Sequence, residues 1–394
     1  MSEVSEVSEV SEVSEVQTVS VVRAESRVER NTYRIVRNEQ IADGIFELIL
    51  DAPDIAAVAT SGQFVNLYLP DGAMLLPRPI SIAGADADTG AVSLIYAVVG
   101  AGTRVLSLLR PTSVSTTTLT HASGIHFGTN MIEAMGPLGT GFFDYKGSLL
   151  TFGDLSKESF LDQNTARADA HGKTTVVLIG GGVGIPPLFF AAQKLRDAYG
   201  SEIEITAFLG YRNAPWLDER FVQICDAVHT ISESLDNLSE VSPVVDSPSL
   251  RLGQAPIESA NGGSRVVRAS QTGNVIDLLD AWRDEIFTTQ KEPSPLCSSL
   301  CSSLCPTLAL SCGPKPMLAA AAAWCARNDI PLRVSLEERM GCGYGACAGC
   351  TTKTQSLNDP EKPQNGSDGP IIDGVIKKKV CRHGPVFWAG EVVW

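Results

Sequence analysis

Four cysteines near the C-terminus constrain this chain more than any other feature. Cys342, Cys347 and Cys350 follow one another with the spacing C-x4-C-x2-C, and Cys381 comes after a long gap. This spacing is typical of the ligands of a plant-type [2Fe–2S] cluster. Glycine and alanine fill most positions between the first three cysteines, so the backbone can wrap closely around a small cluster. The pattern predicts an iron–sulfur site.

Structural zinc is the alternative for the same cysteines. Zinc sites usually draw their ligands from two C-x2-C pairs. Here Cys381 stands alone within residues 380–384, without a second pair beside it. The spacing therefore favours iron–sulfur over zinc.

Composition limits the class of protein. The chain has 394 residues, 44% of them hydrophobic and 19% charged, which is enough for two to three globular domains. A formal net charge of -14 argues against a nucleic-acid partner. The sequence has no run of eighteen apolar residues, so we expect no membrane span. The N-terminal segment lacks a basic stretch followed by an apolar stretch, so we expect no secretory signal. Ten cysteines without such a signal fit a reducing compartment, and we expect a cytoplasmic protein.

The pattern of hydrophobic residues predicts a multidomain β plus α/β fold. Residues 1–30, with five Ser-Glu-Val repeats, form an expected disordered tail. Short alternating apolar runs over 31–148 predict an antiparallel β-barrel. Strands that alternate with helices over 172–333 predict a doubly wound parallel α/β domain. Residues 334–394 then form a small domain that carries the four cysteines.

Several polar stretches fit none of these units and are interpreted as surface insertions, at residues 113–130, 154–171, about 235–271 and about 293–306. The last contains a Ser-Ser-Leu-Cys repeat with Cys297, Cys301 and Cys305. Its C-x3-C-x3-C spacing could suggest a second metal site on one helix face. The repetition favours low-complexity sequence instead.

In the first domain, Arg78-Pro79-Ile80-Ser81 places an arginine and a hydroxyl on one side of a strand. The planar guanidinium suits a pyrophosphate, and a hydroxyl two residues later could reach a flavin ring. Alone the tetrapeptide is a weak signal, since a surface arginine beside a strand proline is more common. Two glycine-rich segments support it: Gly102-Thr103 before a predicted helix at 104–109, and the loop at 136–142.

In the second domain, Gly180, Gly181, Gly182 and Gly184 connect a predicted strand at 174–179 to a predicted helix at 188–199. This context suits a dinucleotide pyrophosphate, although Ile185 breaks the strict G-x-G-x-x-G pattern. Cys312-Gly313 follows a predicted strand at 308–311 and could flank a nicotinamide; a small buried residue at a strand end is the alternative. Further helices are predicted at 216–226, 275–287 and 315–328.

These motifs, in this order, resemble the electron-transfer subunits of type 1B dihydroorotate dehydrogenases, within the ferredoxin–NAD(P) reductase superfamily. The resemblance covers about residues 33–394, interrupted by the insertions. Its most specific parts are Ser335-Leu336-Glu337-Glu338-Arg339-Met340-Gly341-Cys342-Gly343 and Val380-Cys381-Arg382-His383-Gly384-Pro385-Val386-Phe387.

The resemblance implies which residues bind cofactors. FAD contacts map onto Arg78, Pro79, Ile80, Ser81, Ile95, Tyr96, Ala97, Gly102 and Thr103. NAD would be bound at Gly180, Gly181, Gly182, Gly184, Cys312 and Gly313. The [2Fe–2S] cluster would be bound by Cys342, Cys347, Cys350 and Cys381.

The resemblance also implies a function. The partner, an FMN-containing dihydroorotate dehydrogenase catalytic subunit, would supply electrons that pass through the [2Fe–2S] cluster and FAD to NAD⁺, in pyrimidine (UMP) biosynthesis. A heterotetramer of two plus two subunits is implied. The sequence departs from the family at residues 232–236, where the usual acidic-glycine turn is replaced, so NAD versus NADP stays open at this point.

Two alternative functions remain at this stage. One is an NAD(P)H-dependent flavin and iron–sulfur reductase that feeds another oxidoreductase. The other is a zinc-binding scaffold without redox activity. No residue of this chain is predicted to act as a catalytic acid or base, because electron relay through such cofactors requires none.

Overall fold

A computed structural model of the chain describes residues 29–69, 74–111, 119–120, 126–127, 130–143, 174–234, 265–288, 308–355 and 375–394. The Ser-Glu-Val tail, the Ser-Ser-Leu-Cys repeat and most of the predicted insertions lie outside these residues.

Six antiparallel strands close into a barrel with the strand order β1-β2-β5-β4-β3-β8. Inward side chains alternate with outward ones, and the inward set includes the fully buried Leu48, Leu50, Val65, Leu67 and Leu94. The barrel strands are β1 (Arg30–Ala42), β2 (Ile45–Asp51), β3 (Phe64–Tyr68), β4 (Arg78–Asp86), β5 (Ala91–Ala97) and β8 (Met131–Leu138). Strands β6 (Leu119–Thr120) and β7 (His126–Phe127) lie between β5 and β8 in the chain and form a separate pair. Two short helices also belong to this part of the chain: α1 (Pro53–Ala56) follows β2, and α2 (Ala101–Leu106) follows β5.

A seven-stranded sheet forms the second unit. Its strands are β9 (Thr174–Gly181), β10 (Ile203–Tyr211), β11 (Ala227–Ser232), β12 (Arg265–Thr272), β13 (Leu308–Cys312), β14 (Leu332–Ser335) and β17 (Val386–Trp388). The strand order is β12-β11-β10-β9-β13-β14-β17, with β9 to β14 parallel and β17 antiparallel to β14. The chain moves outward from β9 to β12 and then returns to β13 on the other side of β9. This reversal places the carboxyl ends of β9 and β13 side by side, where open α/β sheets bind ligands.

Four helices connect the parallel strands: α3 (Ile185–Tyr199), α4 (Asp218–Val222), α5 (Val275–Thr288) and α6 (Lys315–Arg327). Helix α3 lies between the sheet and the barrel. Its buried Leu188 belongs to the apolar cluster of the sheet, while its Phe190 belongs to that of the barrel. The barrel and the parallel α/β sheet confirm the predicted fold class.

The helix predicted at 216–226 is wrong in length, because α4 covers only Asp218–Val222. Asp226 is responsible for the early end. Its carboxylate accepts a hydrogen bond from the Ile205 amide at 2.7 Å, and its own amide donates to the Ile205 carbonyl at 2.9 Å. These bonds to β10 draw the chain into β11 at Ala227 instead of continuing the helix.

The cysteine-bearing region is joined to the sheet. Strands β15 (Thr351–Gln355) and β16 (Val375–Lys379) pair, the helix α7 (Val380–His383) carries Cys381, and β17 then completes the seven-stranded sheet. The boundary expected after residue 333 falls within β14. The division into domains therefore stays a prediction. The described helices include none that is long and apolar enough to cross a membrane.

Glu47 links the barrel to the α/β unit. Its side chain is 3% exposed and accepts hydrogen bonds from both terminal nitrogens of Arg220 in α4, at 2.7 and 3.0 Å. Arg37 of β1 also pairs with it. Burial would raise the pKa of Glu47, but the two guanidiniums outweigh burial and hold that pKa below its ordinary value of 4.5.

Glu47→Gln should lower the free energy of unfolding at pH 7 by about 1–2 kcal/mol, because Arg37 and Arg220 lose a charged acceptor but are partly hydrated. A carboxylate with a lowered folded pKa stabilises above its unfolded pKa, and this stabilisation is lost as pH falls through the folded pKa. Urea unfolding at pH 7 and in the acid range should show the difference between the two proteins shrinking as pH falls. Asp51→Asn, in the exposed Arg34–Asp51 pair, is the control and should cost less. A difference that does not depend on pH would contradict this account.

Candidate functional site

A cavity of about 320 Å³ lies where the barrel, the α/β sheet and the segment before the cysteine loop meet. The barrel wall contains eight of the nine predicted flavin residues, and the sheet wall contains Gly184, Cys312 and Gly313. The barrel residues are Arg78, Pro79, Ile80, Ser81, Ile95, Tyr96, Ala97 and Thr103. Residues predicted independently from distant motifs thus face one space.

Hydrogen bonds hold the Arg78 side chain in place on the barrel wall of the cavity. Its Nη1 donates to the carbonyls of Leu76 and Pro77, at 2.7 and 3.3 Å. Its guanidinium lies directly against Gly102, where an added Cβ would come within 1.9 Å of Nε. Within the described part of the chain, no carboxylate forms an ion pair with Arg78, so its positive charge is available to an anionic ligand.

Thr103 shapes the loop that precedes α2. Its Oγ1 accepts hydrogen bonds from the amides of Val99 and Gly100, at 2.9 and 3.2 Å. The hydroxyl also lies close enough to donate to the Gly100 carbonyl. Gly102 and Thr103 therefore form a closed turn against Arg78, although Gly102 itself does not line the cavity.

The sheet wall is formed by two loops in close contact. A Cβ on Gly184 would lie 2.4 Å from the carbonyl of Cys312, and Gly182 has a φ of +55°, so both positions require glycine. Gly180 and Gly181 end β9 and Gly182 follows them, but none of these three residues lines the cavity. Burial raises the pKa of Cys312 to about 12, so this thiol is neutral beside the cavity.

A third wall was missed by sequence reasoning. Glu337, Glu338 and Met340 line the cavity and lead directly to Cys342. Burial raises the pKa of Glu337, and Glu338 pairs with Lys315 at 3.7 Å. These residues lie within the motif at 335–343 that carried the family resemblance, so the signal was present although no cofactor role was assigned to them.

The cysteine loop presents backbone amides to its sulfurs. The Cys347 amide donates to Sγ of Cys342 at 3.3 Å, and the Cys381 amide donates to Sγ of Cys350 at 3.4 Å. Gly343 and Gly345 have φ of +75° and +93°, which allows the loop to turn tightly. The cysteines thus approach one another as two pairs, Cys342 with Cys347 and Cys350 with Cys381.

The electrostatics of these cysteines fit thiolate ligands. Burial would raise the pKa of Cys342, but the amides of Cys347, Tyr344 and Gly345 lower it to about 6. Burial and the neighbouring Cys350 raise the pKa of Cys381 to about 12. Thiols held this close resist joint deprotonation unless cations lie between them, as iron would.

The paired arrangement suits two irons better than one ion. In the described ranges, no three His, Cys, Asp or Glu side chains are grouped as ligands of a single metal. A [2Fe–2S] cluster takes two ligands on each iron, which is the arrangement that the two cysteine pairs offer. The donor set therefore fits such a cluster.

Comparison with known proteins also indicates an iron–sulfur cluster site. Residues 337–376 match the family model described as the iron–sulfur cluster binding domain of dihydroorotate dehydrogenase B. The electron-transfer subunit of dihydroorotate dehydrogenase B (NAD(+)) from Streptococcus pneumoniae is 27% identical over 93% of this chain and 99% of the relative, and that from Bacillus cereus is 26% identical with the same coverage. The chain is thus similar to electron-transfer subunits of dihydroorotate dehydrogenase B over most of its length.

The solved structure of an NADH-dependent reduced ferredoxin-NADP oxidoreductase has the same fold as this chain. The TM-score is 0.54 at 22% identity, over 92% of this chain and 90% of the other. Electron-transfer subunits of this family are matched along nearly their whole length. The barrel, the sheet and the cysteine loop therefore belong to one shared architecture.

The structure also locates the aromatic and apolar residues near the C-terminus of this chain. Phe387 and Val392 are buried within the chain, and the Val393 amide donates to the Lys353 carbonyl at 3.0 Å. Trp394 is 41% exposed and Tyr344, within the cysteine loop, is 52% exposed. Tyr344 and Trp394 are thus accessible aromatic side chains.

Proposed function

We propose that this chain is the electron-transfer subunit of an NAD-linked dihydroorotate dehydrogenase B. It would carry electrons from the FMN of a catalytic subunit to NAD⁺, in pyrimidine (UMP) biosynthesis. One observation carries the proposal: a single cavity is bounded by the barrel, the strand-end loops and the segment that leads into the cysteine loop. A flavin, a nicotinamide and a cluster could approach one another where these three walls meet.

The barrel wall is proposed to bind FAD. Arg78 offers an unneutralised guanidinium to the pyrophosphate, next to the turn at Gly102 and Thr103. Strands β4 and β5 supply the surface for the ring, through Pro79, Ile80, Ser81, Ile95, Tyr96 and Ala97. Tyr96 is held by a hydrogen bond from its hydroxyl to Oδ1 of the buried Asn38, at 3.0 Å.

The sheet wall is proposed to bind NAD at Gly180, Gly181, Gly182, Gly184, Cys312 and Gly313. The register pairs Gly180 of β9 with Cys312 of β13, so both loops leave the sheet at the same level. The absence of side chains in the first loop lets a dinucleotide approach the backbone. Cys312, as a neutral thiol, adds no charge beside a nicotinamide.

The cluster is proposed to be bound by Cys342 and Cys347 on one iron and by Cys350 and Cys381 on the other. When the three groups are bound, the cluster supplies one-electron transfer, the flavin exchanges single electrons for pairs, and nicotinamide accepts a hydride. The protein orients these groups and shields the cavity from water with Phe64, Leu336, Met340 and Pro385. No acid or base of the chain is assigned a catalytic step.

The assembly is proposed to contain a dihydroorotate-oxidising FMN subunit, as a heterotetramer of two plus two, in the reducing cytoplasm where thiolate ligands persist. We also propose four regions: a tail at 1–30, a flavin barrel at 31–148, a nucleotide domain at 172–333 and a cluster domain at 334–394. The cysteine loop would face the partner, since a one-electron carrier must approach the donor cofactor. Tyr344 lies in that loop and is exposed.

The proposal is tested by co-expression with a candidate dihydroorotate-oxidising subunit. The expected complex shows flavin bands with a broad charge-transfer shoulder in the visible spectrum, and it reduces NAD⁺ with dihydroorotate as donor. NADH oxidation by an artificial acceptor should not require the partner. A complex that fails to form, or one in which dihydroorotate reduces the FMN but never NAD⁺, would refute this function. Preference for NADP⁺ over NAD⁺ would correct the nucleotide assignment.

Tyr344→Ala should weaken association with the catalytic subunit about tenfold or more, since aromatic side chains dominate interface cores. Dihydroorotate-to-NAD turnover at low partner concentration should fall with it, whereas NADH oxidation by an artificial acceptor should persist. The measurement is the dissociation constant by titration. Val58→Ala removes an equally exposed apolar group from the α1 region of the barrel and serves as control. Unchanged affinity in Tyr344→Ala would move the interface away from the loop.

A further inference from the structure

A barrel asparagine touches the cysteine loop. Asn66 lies in the middle of β3 and its side chain is fully buried. Its Nδ2 donates a hydrogen bond of 2.9 Å to the carbonyl oxygen of Cys342, a residue that is 276 positions away in the chain. The side chain of Asn66 therefore connects β3 directly to the first cysteine of the loop.

The contact is tight enough to fix the position of the loop. Gly343 has a φ of +75°, and a Cβ at this position would lie 2.3 Å from Nδ2 and 2.5 Å from Oδ1 of Asn66. Only a glycine lets the loop backbone come this close. Oδ1 of Asn66 is buried and has no hydrogen-bond partner among the described residues, so the bond from Nδ2 to Cys342 is the hydrogen bond recorded for this amide.

The bond to Cys342 determines the direction of an amide. In a trans peptide the C=O and the following N–H point to opposite sides of one plane. Asn66 draws the Cys342 carbonyl toward the barrel, so the N–H of Gly343 is turned away from the barrel. On the other side of the same loop, the Cys347 amide donates to Sγ of Cys342 at 3.3 Å.

We propose that Asn66 is a positioning residue for the iron–sulfur cluster. It acts through the Cys342–Gly343 peptide and keeps that amide directed at the sulfur side of the loop. The inference rests on the proposed [2Fe–2S] cluster. Amide hydrogen bonds to cluster sulfurs set both the reduction potential and the retention of iron, so Asn66 acts on both from a different part of the chain.

Asn66→Leu tests the inference, because leucine is similar in size but cannot donate. The reduced variant should show a shifted rhombic EPR signal and a lower cluster reduction potential, since one amide would no longer be held. Release of iron to a chelator should be about tenfold faster or more. Asn66→Asp replaces the donor with an acceptor facing the Cys342 carbonyl, and its shifts should be larger. FAD content should stay equal to that of the unmodified chain in both variants.

Val65→Ala is the matched control. Val65 is the neighbour of Asn66 on β3, is fully buried on the opposite face and packs against Gly136. This change should lower thermal stability through a cavity in the barrel, but leave the EPR signal and iron release unchanged. Asn66→Leu with an unaltered signal and unaltered iron release would overturn the positioning role. So would Val65→Ala if it reproduced the same shifts. An unmodified protein without any reduced-state EPR signal would instead overturn the cluster, and this inference with it.

Discussion

Cys347→Ser should abolish the low-temperature rhombic EPR signal of the reduced protein while FAD remains bound. A serine oxygen is a poor ligand for a soft iron–sulfide core, so one of the four proposed cluster ligands is lost. Flavin should stay because its proposed site is formed by β4, β5 and α2. The measurements are EPR of the dithionite-reduced protein and the ratio of FAD to protein.

Cys301→Ser is the control for this change. Cys301 belongs to the Ser-Ser-Leu-Cys repeat, where a second metal site could have been suggested. The signal should survive its replacement unchanged. If Cys301→Ser removed the signal and Cys347→Ser retained it, the assignment of the ligands would be wrong.

Arg78→Ala should lower the affinity for FAD by on the order of 1.5–3 kcal/mol, which is roughly ten- to a hundred-fold. The change removes the guanidinium that is proposed to donate to the pyrophosphate and that can form two parallel hydrogen bonds. FAD occupancy after gel filtration should fall, while the visible absorbance of the cluster persists. FAD and the cluster should therefore respond differently to this change. Among the described residues, no hydrogen bond or ion pair joins Arg78 to the cysteine loop.

Arg34→Ala is the matched control for Arg78, since Arg34 is also a barrel arginine but forms an exposed pair with Asp51. It should retain FAD at the level of the unmodified protein. Full FAD retention in Arg78→Ala would place the pyrophosphate elsewhere on the barrel. Loss of both FAD and cluster would instead show that Arg78 supports the fold.

Local sequence patterns predicted the elements whose causes are local. The buried run that became β9 and the alternating runs of the barrel are determined by side chains two to four residues apart. For the same reason, the cysteine spacing identified the cysteine loop, and the glycines at the end of β9 identified the loop before α3. The joining of these loops at one cavity followed from the family resemblance, not from periodicity.

Contacts between distant segments could not be predicted in this way. Nothing near Asn66 in the sequence indicates Cys342, and nothing near Glu47 indicates Arg220. The short α4 has a similar cause, because Asp226 is bonded to Ile205 of a preceding strand. Each of these contacts exists only after segments that are distant in the chain have come together.

The strand β17 has a consequence for any attempt to prepare a flavin-only form of this protein. Removing the cysteine-bearing region by ending the chain after β14 would take away the antiparallel neighbour of Arg333, Val334 and Ser335. The backbone donors and acceptors of an apolar strand would then face water, and uncovered edges of this kind recruit strands from other molecules. Such a truncated protein should self-associate, so single substitutions of the cysteines are the sounder route to a protein that lacks the cluster.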